Sequence, residues 1–393
     1  MVGLGGMGSA SLATLAARGK RVLGIEAFAR GHELGASAGR SRIVRKAYFE
    51  HAAYVPLLSR AYELWRELES ASGAHVLTLP GVLMVGDAAS AVLCGAFESA
   101  RLHGILLKRL DAAALAARYP ALRLRPGEIG FIEPEAGVVF PERAVAAQLA
   151  RAEAHGADTI FATRVARFRS EPDAVVLELA GGGEIRTERL ALCAGPWLAQ
   201  LSTGLELPIR VQRNVQIWFR PVVADFSLGR FPAFFLDRSG LPAPLYGFPD
   251  FGEGVKAALH GYGVTVSPDD LERAILPADI AAVRSALEDF MPGAAGEFVA
   301  GKACMYALTP DEHFILDVHP ADPRIAVAGG FSGHGFKFAP VVGEIVADLL
   351  ADGVTRHPIG FLRLDRFDPA GGGKGSGRFR RKKNGCESVC DLP

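Results

Sequence analysis

The chain has 393 residues, 43 basic and 43 acidic side chains, and a formal net charge of zero. That balance argues against nucleic acid as the main partner, because neutralising phosphates takes a surplus of lysine and arginine. Apolar residues at 49% and charged residues at 22% supply packed cores rather than a disordered chain, and the length suggests two or three domains.

In chain order, the first signal is Gly3-Leu4-Gly5-Gly6-Met7-Gly8, a GxGxxG pattern. A helix is predicted over 9–18, with Leu12, Leu15 and Ala16 inward, and a short strand over 21–26 that ends in Glu26. Residues 53–70 read as an amphipathic helix with Tyr54, Leu57, Leu58, Ala61, Leu64 and Trp65 on one side. A helix over 143–155 and a strand over 159–162 follow, then strands over 174–179 and 189–193. Residues 211–220 alternate like an exposed antiparallel strand. Residues 268–291 read as one helix with charged faces, and 341–350 as another. Alternating strands and helices at both ends, with an antiparallel stretch between, predict a nucleotide-binding α/β domain interrupted by a second domain.

From Ala370 onward the chain is glycine-rich, then basic, with six basic and two acidic residues. Such a segment cannot offset its ordering entropy by apolar burial, so 369–393 is read as a disordered basic tail. The five cysteines are scattered and odd in number, which favours a reducing compartment over a disulfide framework. Cys386 and Cys390 have no histidine or third cysteine near them, so no metal site is expected. No apolar run reaches membrane-helix length and the start does not look like a secretory signal, so the expected location is the cytoplasm.

The glycine pattern has a physical reading. Gly3 makes a tight turn, Gly5 lets a pyrophosphate approach the backbone at a helix N-terminus, and Gly8 lets helix and strand pack closely. Glu26 is placed to accept hydrogen bonds from ribose hydroxyls. Only Met1 and Val2 precede Gly3, where a full strand is expected. Loss of that strand would leave buried edges unpaired, so a misassigned or truncated start is expected; if the chain does begin here, the expectation is weak cofactor binding or poor stability.

Three further strings narrow the reading: GRSRIVRKAY from Gly39, GKACMYALTPDEHFILD from Gly301 and GGFSGHGFKFAP from Gly329. Together with GLGGMG, LCAGPW from Leu192 and YGFP from Tyr246, they resemble the monomeric sarcosine oxidase family. That family includes N-methyltryptophan and pipecolate oxidases, and the resemblance runs from Val2 to about Phe367. It implies an FAD-binding Rossmann-like domain in pieces 1–75, 140–205 and 301–368, interrupted by an α+β substrate domain with an antiparallel sheet in 76–139 and 206–300. It implies an oxidase of N-methyl or cyclic secondary amino acids that yields an imine and hydrogen peroxide, working as a monomer on a small amino acid and O2. An acceptor other than oxygen, or a flavin-binding protein without catalysis, are the alternatives.

The resemblance also assigns residues. Cys304 would carry a covalent FAD thioether, although on its neighbours alone it reads as a buried core cysteine. Arg45 and Lys337 would hold the substrate carboxylate, with Tyr246 and His334 beside it. Arg42, His260 and Tyr306 would lie close to the reacting centre, and Lys256 would promote reaction with oxygen by stabilising superoxide. Lys256 and His260, four residues apart, are expected to point into one cavity. Gly3, Gly5, Gly8, Glu26, Ser37, Ser41, Arg42, Val165, Gly195, Cys304, Gly333 and Lys337 would contact the cofactor, and Lys46 would be structural. The chain departs from the family at Ala38, where a histidine is common, at Ser41, where some members have threonine, and in a shorter Tyr246–Lys256 spacing.

Overall fold

The computed structural model describes residues 1–201 and 204–368; the expected tail and its cysteine pair lie outside these. Gly6–Ala17 forms the first helix, and Leu23–Ile25 the strand after it, parallel to Asp158–Ile160. Leu190–Leu192 runs parallel to Asp322–Gly329, which pairs antiparallel with Ile315–His319. The expected unpaired edges do not occur. Val2 bridges both halves, with its N–H donating to Ala191 O (2.9 Å) and its carbonyl accepting from Cys193 N–H (2.8 Å). On the other side Gly3 N–H donates to Ile25 O and Ile25 N–H to Met1 O. Met1, Val2 and Gly3 thus satisfy backbone groups that would otherwise be orphaned on the neighbouring strands.

The helices Gly6–Ala17, Pro141–Ala154 and Ala339–Asp352 pack together beside this sheet. The helix Val55–Ser72 buries Leu57, Leu58, Ala61, Leu64 and Trp65, the face expected from its periodicity, and Tyr54 belongs to a 3-10 turn that precedes it.

The second large body is a nine-stranded, mostly antiparallel sheet. Arg210–Phe219 lies inside it, paired along its length with Phe298–Leu308 and on its other edge with Val255–Leu259. This corrects the reading of 211–220 as an exposed strand. Its alternation separates two buried faces: Ile217 and Phe219 enter an apolar core, while Gln212, Asn214 and Gln216 are buried polar residues. A polar face meeting a polar interior has the same sequence signature as one meeting water. The helix expected over 268–291 is also shorter, at Pro277–Phe290. Before it, Asp269 accepts hydrogen bonds from Trp197, Gln200 and Arg164, and the carbonyls of Glu272 and Ala274 accept from Arg213. A helix would consume those backbone acceptors internally, so the stretch stays irregular until Pro277 opens the helix at its first turn.

Candidate active site

One long cavity of about 560 Å³ runs from the glycine turn to the face of the large sheet. At its first end Gly3 has φ +88°, and a Cβ on Gly8 would lie 1.8 Å from Gly3 O, so both positions demand glycine. Gly6 N–H donates to Ser37 Oγ (2.9 Å), and Leu4 N–H to Glu26 Oε2 (2.8 Å). Burial works to raise the pKa of Glu26, but hydrogen bonds from His32 and Leu4 outweigh it and keep the carboxylate charged. Val165 and Gly195 line this end, with Phe28, Phe161 and Trp197 as aromatic walls.

At the other end lie Arg45, Glu50, Tyr246, His260, Tyr306, His334 and Lys337. Arg45 is 1% exposed. Its guanidinium is not free: one terminal nitrogen donates to Ala47 O and the other terminal nitrogen to both oxygens of Glu50, at 2.8 and 2.7 Å. Burial opposes the charge of Glu50, yet Arg45, with His334 and Lys337, holds its pKa down at about 2. Glu50 therefore stands as an internal carboxylate on the fork expected for the substrate. Burial and the Arg45 charge bring Lys337 down to about 7 against the pull of Glu50, and its Nζ donates to His334 O (2.7 Å).

Burial pushes Tyr246 up to about 12 and holds Tyr306 well above the ordinary phenol value. Both phenols stay protonated and can serve as hydrogen-bond donors, not as bases. The Tyr306 hydroxyl lies 3.4 Å from His260 Nδ1, and the Tyr306 ring lies against Gly333, where a Cβ would come within 2.2 Å of it. His334 lines the cavity with both ring nitrogens engaged, Nδ1 by Tyr48 (2.6 Å) and Nε2 by Glu312 O (3.0 Å). It has no nitrogen left for a substrate, which removes it as a direct polar contact.

Four expected site residues do not line the cavity. Gly8 packs behind the turn. Lys256 and Ser41 sit together: Lys256 Nζ bonds Gly39 O (2.6 Å), Ser41 O (2.8 Å) and Ser41 Oγ (3.1 Å). The expectation that Lys256 and His260 share one cavity therefore fails. Lys256 is inside the strand Val255–Leu259, whereas His260 follows its end, so the two-residue alternation no longer relates them. Burial, with Arg42 nearby, pulls the Lys256 pKa well down, while the two carbonyls and the Trp218 and Phe248 rings at 5.2 and 4.6 Å favour an ammonium. Cys304 lies one layer behind the lining, its Sγ 3.5 Å from Gln216 Nε2, and burial raises its pKa despite Arg42 and Lys256. Arg42 lines the cavity and clamps its own loop through Ala36, Ala38 and Ser41 carbonyls. Lys46 pairs with Glu135 at the surface.

The sequence reading missed Glu50 and Gln216. Gln216 is 1% exposed, lines the cavity, and its Oε1 has no partner. Its signal was present as the polar alternation of 212, 214 and 216, assigned to solvent. Glu50 had no signal, because a carboxylate after an aromatic residue is ordinary surface chemistry until the fold turns it inward.

Residues 1–349 match the family model of FAD dependent oxidoreductases. Monomeric sarcosine oxidase of Streptomyces avermitilis is 41% identical over 376 residues, covering 94% of this chain and 96% of that protein. N-methyl-L-tryptophan oxidase of Salmonella arizonae is 34% identical, covering 93% and 98%. Among solved structures, NikD, an unusual amino acid oxidase essential for nikkomycin biosynthesis, superposes with a TM-score of 0.82 at 24% identity, covering 92% and 95% of the two chains, which shows the shared fold. A glycine-turn cavity of this length, a family model that matches residues 1–349 and relatives that cover more than nine-tenths of the chain lead to one assignment: the chain belongs to the family of FAD-dependent oxidoreductases.

Proposed function

We propose that the chain is an oxidase of N-methylated or cyclic secondary amino acids, giving an imine and hydrogen peroxide. The observation that carries this reading is a single cavity with a dinucleotide turn at one end and two buried cations, Arg45 and Lys337, at the other. What supports FAD in that cavity is the backbone cradle at Gly3 and Gly5, the Glu26 carboxylate within reach of a ribose, and the unpartnered Gln216 oxygen. When bound, FAD supplies the two-electron acceptor for the substrate and the route from there to oxygen.

Arg45 and Lys337 bind the substrate carboxylate, which displaces Glu50 from the guanidinium fork. Tyr246, Tyr306 and Phe235 wall the amine end and exclude water. The substrate leaves as an imine that water hydrolyses; sarcosine would give glycine and formaldehyde. Holding donor and acceptor aligned contributes much of the rate, roughly 7–11 kcal/mol in favourable model systems. Lys256, fixed on the 39–41 loop that borders the cavity, supplies the cation for the oxygen step. Cys304 would hold the FAD through a thioether; its place next to Gln216, a lining residue, supports this.

The pieces 1–75, 140–205 and 301–368 form the FAD-binding part and 76–139 with 206–300 the substrate part, although strand Phe298–Leu308 crosses the boundary at 301. A cytoplasmic monomer completes the reading. Among the described residues no helix is long and apolar enough to cross a membrane. The test is a peroxide assay across sarcosine, N-methyltryptophan, L-pipecolate and L-proline, with a flavin spectrum of the purified protein. Peroxide from at least one substrate is expected. Flavin reduction without peroxide would favour a different electron acceptor, and colourless protein a non-catalytic role.

A further inference from the structure

We propose that Tyr48 is a positioning residue for the carboxylate grip: its ring spaces Arg45 and Lys337, and its hydroxyl braces the turn that seats Lys337. The inference rests on the reading that these two cations take the substrate carboxylate.

Tyr48 is fully buried and does not line the cavity, so it acts only through its neighbours. Its backbone is fixed by Ser99 Oγ, which donates to its carbonyl at 2.6 Å. The Arg45 guanidinium carbon lies 4.6 Å from the ring centroid and the Lys337 ammonium 5.0 Å. One aromatic ring thus meets both cavity cations. Two like charges buried this close repel, and a π face carries the negative potential that offsets part of the repulsion. The charged and titratable groups facing this pair include Glu50 on Arg45, Glu133 and Tyr62 within electrostatic reach of Arg45, His334 beside Lys337, and Tyr54 against the Tyr48 ring.

The hydroxyl has a separate task. Glu312 O can only accept, so the 3.0 Å contact places the imidazole proton of His334 on Nε2. Nδ1 is then an acceptor, and Tyr48 donates to it at 2.6 Å. Burial, which pulls the His334 pKa down to about 3, keeps the ring neutral in this tautomer. The imidazole is clamped at both ends, and its backbone carbonyl receives the Lys337 ammonium at 2.7 Å. The turn before it carries φ +47° at Ser332, a left-handed value that a non-glycine residue rarely takes. The clamp on His334 holds that turn and, through it, the position of Lys337.

The test uses the holoenzyme with Tyr48→Phe, which keeps the ring and removes the hydroxyl, and Tyr48→Leu, which removes both. Steady-state kinetics on the best amino-acid substrate are paired with inhibition by acetate, a plain carboxylate. Tyr48→Phe is expected to raise KM and the acetate Ki together by about 3–10-fold with kcat within about twofold, and Tyr48→Leu to raise both by about 10–100-fold. A fall in kcat with KM and Ki unmoved, or no change in Tyr48→Phe, overturns the proposal even if Tyr48→Leu fails to fold. Arg45→Lys and Lys337→Met run alongside. If neither moves the acetate Ki, the grip reading is wrong and Tyr48 loses its role with it. If they raise Ki and Tyr48→Phe does not, only the Tyr48 inference is lost.

Discussion

The two ends of the cavity are built in opposite ways. At the glycine turn the main constraints are local: Gly3, Gly5, Gly8 and Glu26 lie within one turn–helix–strand unit, and backbone donors, one carboxylate and the Ser37 hydroxyl do the work. At the far end the residues come from distant segments, since Arg45 and Glu50 meet Lys337 and His334 nearly 300 positions away, and buried charge rather than backbone shape defines the site. A shape-defined site fails all at once when an atom is added. A charge-defined site degrades by degrees, because each partner can be weakened separately. A mutation at the turn will therefore abolish cofactor binding, whereas one at the charged end will only retune substrate binding.

The sharpest break is at the turn. Gly8→Val puts a Cβ 1.8 Å from Gly3 O, and protein without flavin absorbance and with a lowered Tm is expected; normal flavin content would show that the turn tolerates rearrangement. Next comes the tether. Cys304→Ala should lose its yellow colour on acid precipitation while wild type keeps it, and equal behaviour would defeat the covalent claim. Lys256→Met should slow flavin reoxidation by oxygen about 100-fold or more while substrate reduction changes little, read by stopped-flow absorbance; the reverse pattern would leave Lys256 only its structural bonds to Gly39 and Ser41.

The charge-defined end gives smaller effects. Arg45→Lys should raise KM for carboxylate substrates about 10–100-fold, since an ammonium cannot reproduce the fork; an unchanged KM would place the carboxylate elsewhere. The smallest effect is in pH. A lysine whose pKa is brought down to about 7 is charged only below that value, so KM should be lowest under about pH 7 and climb above it as Lys337 loses its proton. Lys337→Met should flatten that climb, and a profile that stays sloped in the variant would point to another group.

Particular residues mark how far the sequence could be read. The glycine turn, the buried face of Val55–Ser72 and the strands around Leu190–Leu192 were legible because each follows from short-range periodicity or turn chemistry. The polar face of Arg210–Phe219 was visible but assigned to water, because periodicity shows that two faces differ and not what covers each. The stretch before Pro277 looked helical until its carbonyls were seen to serve Arg213.

The sequence by itself determined the secondary-structure alternation, the glycine turn and the family resemblance, since local stereochemistry and contiguous strings hold this information. Only the tertiary structure decided that Lys256 stands on the 39–41 loop instead of lining the cavity, that Glu50 occupies the Arg45 fork, and that Tyr48 stands against both cavity cations. Those pairings join segments far apart in the chain, and the energy of a buried charge depends on what surrounds it rather than on its neighbours in sequence.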